Sequence, residues 1–304
     1  MSTYGEMRRR VATLIKPPEI DEIEMNLLDL PEAFERTGRS KRTAGVEVSG
    51  WDQFNRSLRG FRPNEFSILC GPTGAGKTTL LGTLFVNFIA QGVPSFCAPV
   101  EVGADAFVRK LASVVSGVPM HKLEQEWGDI RKKYMGTFFS NPSHTLSIYE
   151  SRVGHMQLMC DLLHSYETRG TRIALVDNLN FMMTAGDTKN PNAETDRVIQ
   201  DWIAFVKKVP IHVVMVMHPK KTDGGRVESE FDIKGSSTAV QEAQNVLLFN
   251  RLAENQMVPI NAVPAFCREL KIAKCRENGR ATGSRILLKL DDRSEAYSEG
   301  GLLG

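Results

Sequence analysis

The string Gly71-Pro-Thr-Gly-Ala-Gly-Lys77-Thr78 fits the pattern GxxxxGK[ST]. Glycines at Gly71, Gly74 and Gly76 let backbone N–H groups converge on phosphate oxygens, and a helix N-terminus adds partial positive charge. Lys77 is placed to neutralise β- and γ-phosphates, Thr78 to ligate Mg²⁺, and Thr79 to line the same cradle. The chemistry these residues suit is the binding of ATP or another NTP with Mg²⁺. The alternative is a glycine turn that holds nothing. Against it, an apolar run (Phe66–Cys70) precedes the loop and a helical pattern follows, which is the context the motif needs.

A phosphate loop of this kind needs an acid on a neighbouring strand to hold the metal or its water. Arg172-Ile-Ala-Leu-Val-Asp177 offers one, at the C-terminal end of an apolar strand where open α/β sheets place ligands. Taken alone, Asp177 also fits a turn or helix cap. Glu101 ends the apolar stretch Val93–Val100 and is positioned to deprotonate a water; a surface glutamate is the other possibility. His218 ends the apolar run His212–Met217, where it can hydrogen-bond a γ-phosphate or simply cap a strand. The loop that follows, Pro219 to Arg226, carries Lys220, Lys221 and Arg226 between glycines. It suits phosphate-backbone contact, and equally a solvated loop.

These residues must be positioned by alternating elements. Candidate strands are Phe66–Cys70, Val93–Val100, Ile173–Val176, His212–Met217, Asn245–Phe249, Leu270–Lys274 and Arg285–Leu290. Helical patterns occupy Lys77–Ala90, Ala104–Ser116, Ser151–Thr168 and Glu194–Lys208. The alternation predicts βαβ units around a mostly parallel sheet, with the closely spaced late strands antiparallel. Residues 1–44 read as an arm, with an acidic amphipathic stretch from Glu19 to Glu35; it folds on its own domain or packs on a neighbouring subunit. Residues 45–293 read as one α/β domain, and 294–304, rich in glycine, as a flexible tail.

Composition narrows the classes. The chain has 304 residues and a formal charge of +2, so any nucleic-acid contact must come from local basic patches and not from bulk charge. Its five cysteines are scattered and odd in number, without a CxxC pair, which predicts reduced thiols and argues against a zinc ribbon. Apolar runs fall far short of the roughly 20 residues that span a bilayer, so no membrane partner is expected. The start MSTYGEMRRR lacks the apolar stretch of a secretory signal. The acidic segment argues against a long organellar presequence, leaving a short one open.

From Gly50 to about Asp291 the chain resembles the hexameric replicative helicases of the DnaB superfamily, nearest to the Twinkle and bacteriophage helicase-primase branch. The strings that carry the resemblance are Gly50-Trp-Asp-Gln-Phe-Asn-Arg-Ser-Leu-Arg-Gly60, Val176-Asp-Asn-Leu-Asn-Phe-Met-Met183, Glu194-Thr-Asp-Arg197, His218-Pro-Lys-Lys221, the run from Gly235 to Leu248, and Lys274-Cys-Arg276 with Glu-Asn-Gly279 after it. It implies a RecA-like P-loop NTPase core with helices on both faces of the sheet and a short N-terminal helical arm that docks on the neighbouring subunit. It implies Glu101 as catalytic base, Asp177 as the Mg²⁺-side acid, His218 as γ-phosphate sensor, and Arg276 with Lys274 as a basic finger reaching the next subunit's nucleotide. It places Lys220, Lys221, Arg226, Gly235 and Ser236 on DNA.

What the resemblance implies for function is an NTP-driven ring, hexameric in the family, that translocates on single-stranded DNA and unwinds forked duplex during replication. A separate primase and DNA polymerase become possible partners, and cytoplasm or nucleoid the location, with the mitochondrial matrix as alternative. Two departures stand out. Only 49 residues precede Gly50 and they carry no zinc ligands, so priming is not expected of this chain. The family stacks an aromatic near the last strand on the nucleotide base, and Arg285–Leu290 offers none. Rival functions are an ATP-dependent recombinase or loader that binds DNA without unwinding, and a P-loop ATPase unrelated to nucleic acid.

Overall fold

The computed structural model describes residues 3–16, 30–31, 35, 44–147, 154–179, 191–220, 225–234, 237–252, 256 and 263–303. Nine strands among them form one sheet: β1 (Glu65–Cys70), β2 (Ser95–Pro99), β3 (His144–Leu146), β4 (Ile173–Asp177), β5 (His212–Met217), β6 (Asn245–Arg251), β7 (Cys267–Cys275), β8 (Arg285–Leu290) and β9 (Tyr297–Leu302). Their order across the sheet is β3-β2-β4-β5-β1-β6-β7-β8-β9. The first six are parallel, and β7, β8 and β9 add antiparallel. β1 therefore lies centrally, between β5 and β6, and its C-terminal end points into the crevice where such sheets bind ligands.

The parallel strands are continuous apolar runs because both faces are covered. The period of two sorts their side chains. Phe66, Ile68 and Cys70 of β1 and Val213, Met215 and Met217 of β5 join one buried cluster, under the helices His155–Arg169 and Pro191–Lys208. Leu69 of β1 with Val214 and Val216 of β5 join the other, under Lys77–Ala90 and Ala104–Ser116. A one-residue slip of either strand would exchange the two sets, so the register that carries the site is fixed by packing on both sides.

Three elements differ from expectation. Residues Tyr4–Ile15 form a helix, α1, started by the Thr3 hydroxyl accepting from the Glu6 N–H at 3.3 Å. It packs on this chain's own helices: Met7 and Val11 are buried in the first cluster and Arg10 pairs with Glu167. The acidic amphipathic stretch lies largely outside the described residues. A further helix, Leu123–Tyr134, and the short edge strand β3 fill the region between β2 and β4, where the sequence showed no strong period.

The third difference is a correction. Residues expected to be a flexible tail hold β9, paired antiparallel with β8. Tyr297 anchors it: the side chain is 4% exposed and meets Phe249 edge-on at 5.5 Å between centroids. Burial of a tyrosine ring outweighs the strand-weakening glycines Gly300 and Gly301.

Candidate functional site

The loop after β1 is shaped by what lies behind it. A Cβ at Gly71 would stand 2.2 Å from the Phe249 carbonyl oxygen, so only glycine lets β6 run that close. Gly76 has φ +99°, and a Cβ there would meet the Tyr297 hydroxyl at 2.4 Å. Lys77 follows as the first residue of the helix Lys77–Ala90, 6% exposed. Its Nζ donates to the carbonyls of Gly71 at 2.8 Å and Pro72 at 3.0 Å, folding the ammonium over the mouth of the loop. Burial holds its pKa below the usual lysine value, and the nearby Asp177 opposes that.

Across the crevice, Thr78 Oγ1 donates to Asp177 Oδ2 at 2.6 Å. Asp177 is 1% exposed, and its other oxygen, Oδ1, is buried without a hydrogen-bond partner. Burial pushes this carboxyl up to about 6, against the pull of the Thr78 hydrogen bond. A buried carboxylate oxygen with nothing to bind is costly, and a cation would satisfy it. Mg²⁺ fits: it takes a hydroxyl, one carboxylate and phosphate oxygens, and needs no all-protein cage. Among the described residues no three His, Cys, Asp or Glu side chains converge into a cluster that could hold a metal without phosphate.

The structure brings Glu101 and His218 together. Glu101, past the end of β2, has its N–H on the Asp177 carbonyl at 3.0 Å. Its Oε2 stands 3.8 Å from His218 Nε2. Between them is a residue given no role above, Asn178, whose Nδ2 donates to Glu101 Oε2 and lies 3.0 Å from His218 Nε2. His218 is held below its usual pKa, first by burial and then by Lys77. A neutral ring with its proton on Nδ1 leaves Nε2 free to accept from the Asn178 amide. The signal was legible: Asn178 follows the strand-end acid directly, at the same sheet edge.

The basic residues divide. Lys220 is exposed, with Nζ on the Phe231 carbonyl at 2.9 Å. Its loop is rooted at the sensor: Pro219 bridges Ile233, and the Lys234 N–H reaches the His218 carbonyl at 3.1 Å. Arg226, expected on DNA, instead turns inward to the buried Glu269 at 3.4 Å and to the Arg251 carbonyl. The cause is Glu269, 1% exposed and in need of cations; Arg285 is its other partner. Lys221, Gly235 and Ser236 lie outside the described residues.

Lys274 and Arg276 stand at the opposite edge of the sheet from this chain's own phosphate loop. Cys275 pairs with Asn245, the first residue of β6, and Arg276 N–H bonds the Gln244 carbonyl at 3.0 Å. Asn245 in turn is level with Ser67, four residues short of Gly71, roughly 13 Å at the rise of a strand. Lys274 Nζ reaches the Val240 carbonyl at 3.0 Å and the Arg276 guanidinium the Gln241 carbonyl, so both face the short helix Ser237–Glu242.

Two cations close the back of the cradle, and no local pattern announced either. Arg251 Nη2 donates to the Gly74 carbonyl at 3.2 Å, and Arg268 Nε to the Ala75 carbonyl at 2.8 Å. All five cysteines are buried and unpaired, as expected of reduced thiols. No helix among the described residues is long and apolar enough to cross a membrane.

Known proteins share this arrangement. The replicative DNA helicase DnaB of Helicobacter pylori is 22% identical over 299 aligned residues, covering 93% of this chain and 58% of that protein. The chain thus spans little more than half the length of this curated relative. A solved DnaB-like replicative helicase, described with its interactions with primase, superposes with a TM-score of 0.73 at 15% identity, over 97% of this chain and 76% of that one. A solved ATPase domain superposes with a TM-score of 0.72 at 14% identity, over 93% of this chain and 99% of the other. The expected fold is therefore the observed one. A family model described as AAA domain matches residues 48–224, more than half of the sequence and the span that holds the phosphate loop, Glu101, Asp177 and His218, so the chain belongs to the AAA domain family.

Proposed function

We propose that this chain is the motor domain of a ring-forming DNA helicase, which couples NTP hydrolysis to movement along single-stranded DNA. The observation that carries the proposal is a divided catalytic set. Thr78, Asp177, Glu101, Asn178 and His218 meet at one sheet edge, while Arg276 stands at the other edge of the same chain. A head-to-tail contact between copies brings one edge against the other, and such contacts close into rings.

The roles follow from the geometry. Lys77, released from the Gly71 and Pro72 carbonyls, meets the β- and γ-phosphates. Thr78 and Asp177 hold Mg²⁺, which supplies neutralisation of phosphate charge. Glu101 accepts the proton of the attacking water, and Asn178 keeps its carboxylate from swinging into solvent. His218 reads the γ-phosphate; because the Lys234 N–H is tied to its carbonyl, a shift of His218 moves the root of the lysine loop. Arg276 of the adjacent protomer stabilises the transferring phosphoryl group. Lys220 and Lys221 contact the DNA backbone, which reads charge and carries little sequence information. The likeness to a helicase known with primase makes a primase a candidate partner.

The test is NTP turnover with and without single-stranded DNA, beside unwinding of a forked duplex. Stimulated turnover and strand separation are the expected result. Turnover and DNA binding without unwinding would make the chain an NTP-switched DNA-binding protein. Absence of any salt-sensitive DNA affinity would remove both readings.

A further inference from the structure

We infer that Arg268 and Tyr297 form a strut beneath the nucleotide cradle, a positioning pair that aims the Gly76 N–H at the bound phosphates. The inference rests on the proposal that this loop binds an NTP, and it concerns two residues of the antiparallel strands, remote in sequence from the loop.

The reasoning starts from the peptide plane. Cis geometry among the described residues is confined to Asp177–Asn178, so the Ala75–Gly76 peptide is trans. In a trans peptide the carbonyl and the N–H point in opposite directions. Arg268 Nε holds the Ala75 carbonyl at 2.8 Å, on the side of β7. The Gly76 N–H is thereby turned away from β7 and into the cradle. Gly76 itself sits at φ +99°, a conformation that glycine adopts freely and therefore also leaves freely. Something outside the loop must hold it.

Tyr297 does so. Its hydroxyl oxygen lies 2.4 Å from where a Gly76 Cβ would be, directly against the backbone. Arg268 hydrogen-bonds that hydroxyl, so one guanidinium joins the Ala75 carbonyl to the tyrosine. The rest of the guanidinium is occupied as well: Nη1 donates to the carbonyls of Ala265 at 2.9 Å and Cys267 at 2.8 Å. Tyr297 is fixed in turn, by its ring on Phe249 and by its N–H on Thr83 Oγ1 at 3.0 Å. The strut therefore runs from the loop through two side chains into β9 and the helix Lys77–Ala90, with no exposed member to relax.

The test is calorimetric titration of the whole chain with Mg²⁺ and the slowly hydrolysed probe ATPγS, beside steady-state ATP turnover and melting of the ligand-free protein. Tyr297→Phe keeps the ring on Phe249 and removes only the hydroxyl. It is expected to raise the dissociation constant about threefold to tenfold, the weight of one hydrogen bond, with unliganded melting little changed. Arg268→Gln, which loses a charged donor, is expected to raise it tenfold or more, and Arg268→Lys to recover part of that loss. KM should rise more than kcat falls, which a merely structural loss would not produce. Wild-type affinity in both Tyr297→Phe and Arg268→Gln overturns the inference. Failure of the wild-type chain to bind ATPγS at all, with Lys77→Ala no different, would instead remove the nucleotide reading beneath it.

Discussion

If catalysis needs Arg276 from the next protomer, two inactive variants should restore each other. Lys77→Ala destroys the phosphate site and keeps the finger; Arg276→Ala keeps the site and loses the finger. Arg276 is level with the start of β6, roughly 13 Å along the strands from its own Gly71, and its guanidinium lies on the Gln241 carbonyl. It contributes nothing to its own site, so each variant alone should lose about 10³-fold or more in turnover. In rings assembled from equal amounts of the two, an interface works when an intact site meets an intact finger. Random assembly gives that at about one interface in four, so the mixture should recover roughly 25% of wild-type turnover if interfaces act independently. Coupling around the ring would lower the figure but not to zero. The assay is DNA-stimulated phosphate release across a series of mixing ratios. A mixture as inactive as its components, or full activity of Arg276→Ala alone, would refute the divided site.

Asp177→Asn should separate stability from function. The folded carboxyl titrates near 6, raised from 3.8 by burial, so the unfolded chain gives up its proton first as pH rises. The folded state is therefore penalised as pH rises from about 4 to about 6, by up to about 3 kcal/mol once both states are ionised. Ligand-free Asp177→Asn should melt above wild type at neutral pH, converge with it near about pH 4, and bind Mg²⁺-nucleotide poorly. Asn178→Ala should lower kcat about tenfold to a hundredfold with nucleotide affinity nearly unchanged, since it frees Glu101 without touching the phosphate loop; single-turnover hydrolysis measures this. Lys220→Ala with Lys221→Ala should weaken DNA binding equally across sequences and flatten the salt dependence of affinity, read by titration at several salt concentrations.

Much of this protein was legible from local patterns. The strands His212–Met217 and Arg285–Leu290 and the helices Lys77–Ala90 and Ala104–Ser116 fall where their periods place them. A buried parallel strand announces itself as an unbroken apolar run, and the polar residue that ends it must lie at the ligand edge. That is why Glu101, Asp177 and His218 could be named before any coordinates, and why Asn178 could have been. The phosphate loop is a contiguous string whose backbone geometry is encoded by its own glycines.

What the chain's order alone could not decide depends on pairs far apart in it. Arg226 looked like a DNA contact because its neighbours are lysine and glycine; a buried Glu269 on another strand turns it inward. The last residues looked unstructured because two glycines and a weak pattern dominate them; one tyrosine finding Phe249 and the underside of Gly76 makes them a strand. α1 folds back on its own domain because two apolar side chains, Met7 and Val11, find a gap in the core. A side chain's type is a local property, but the charge or cavity it must satisfy is set by whatever the folded backbone brings beside it.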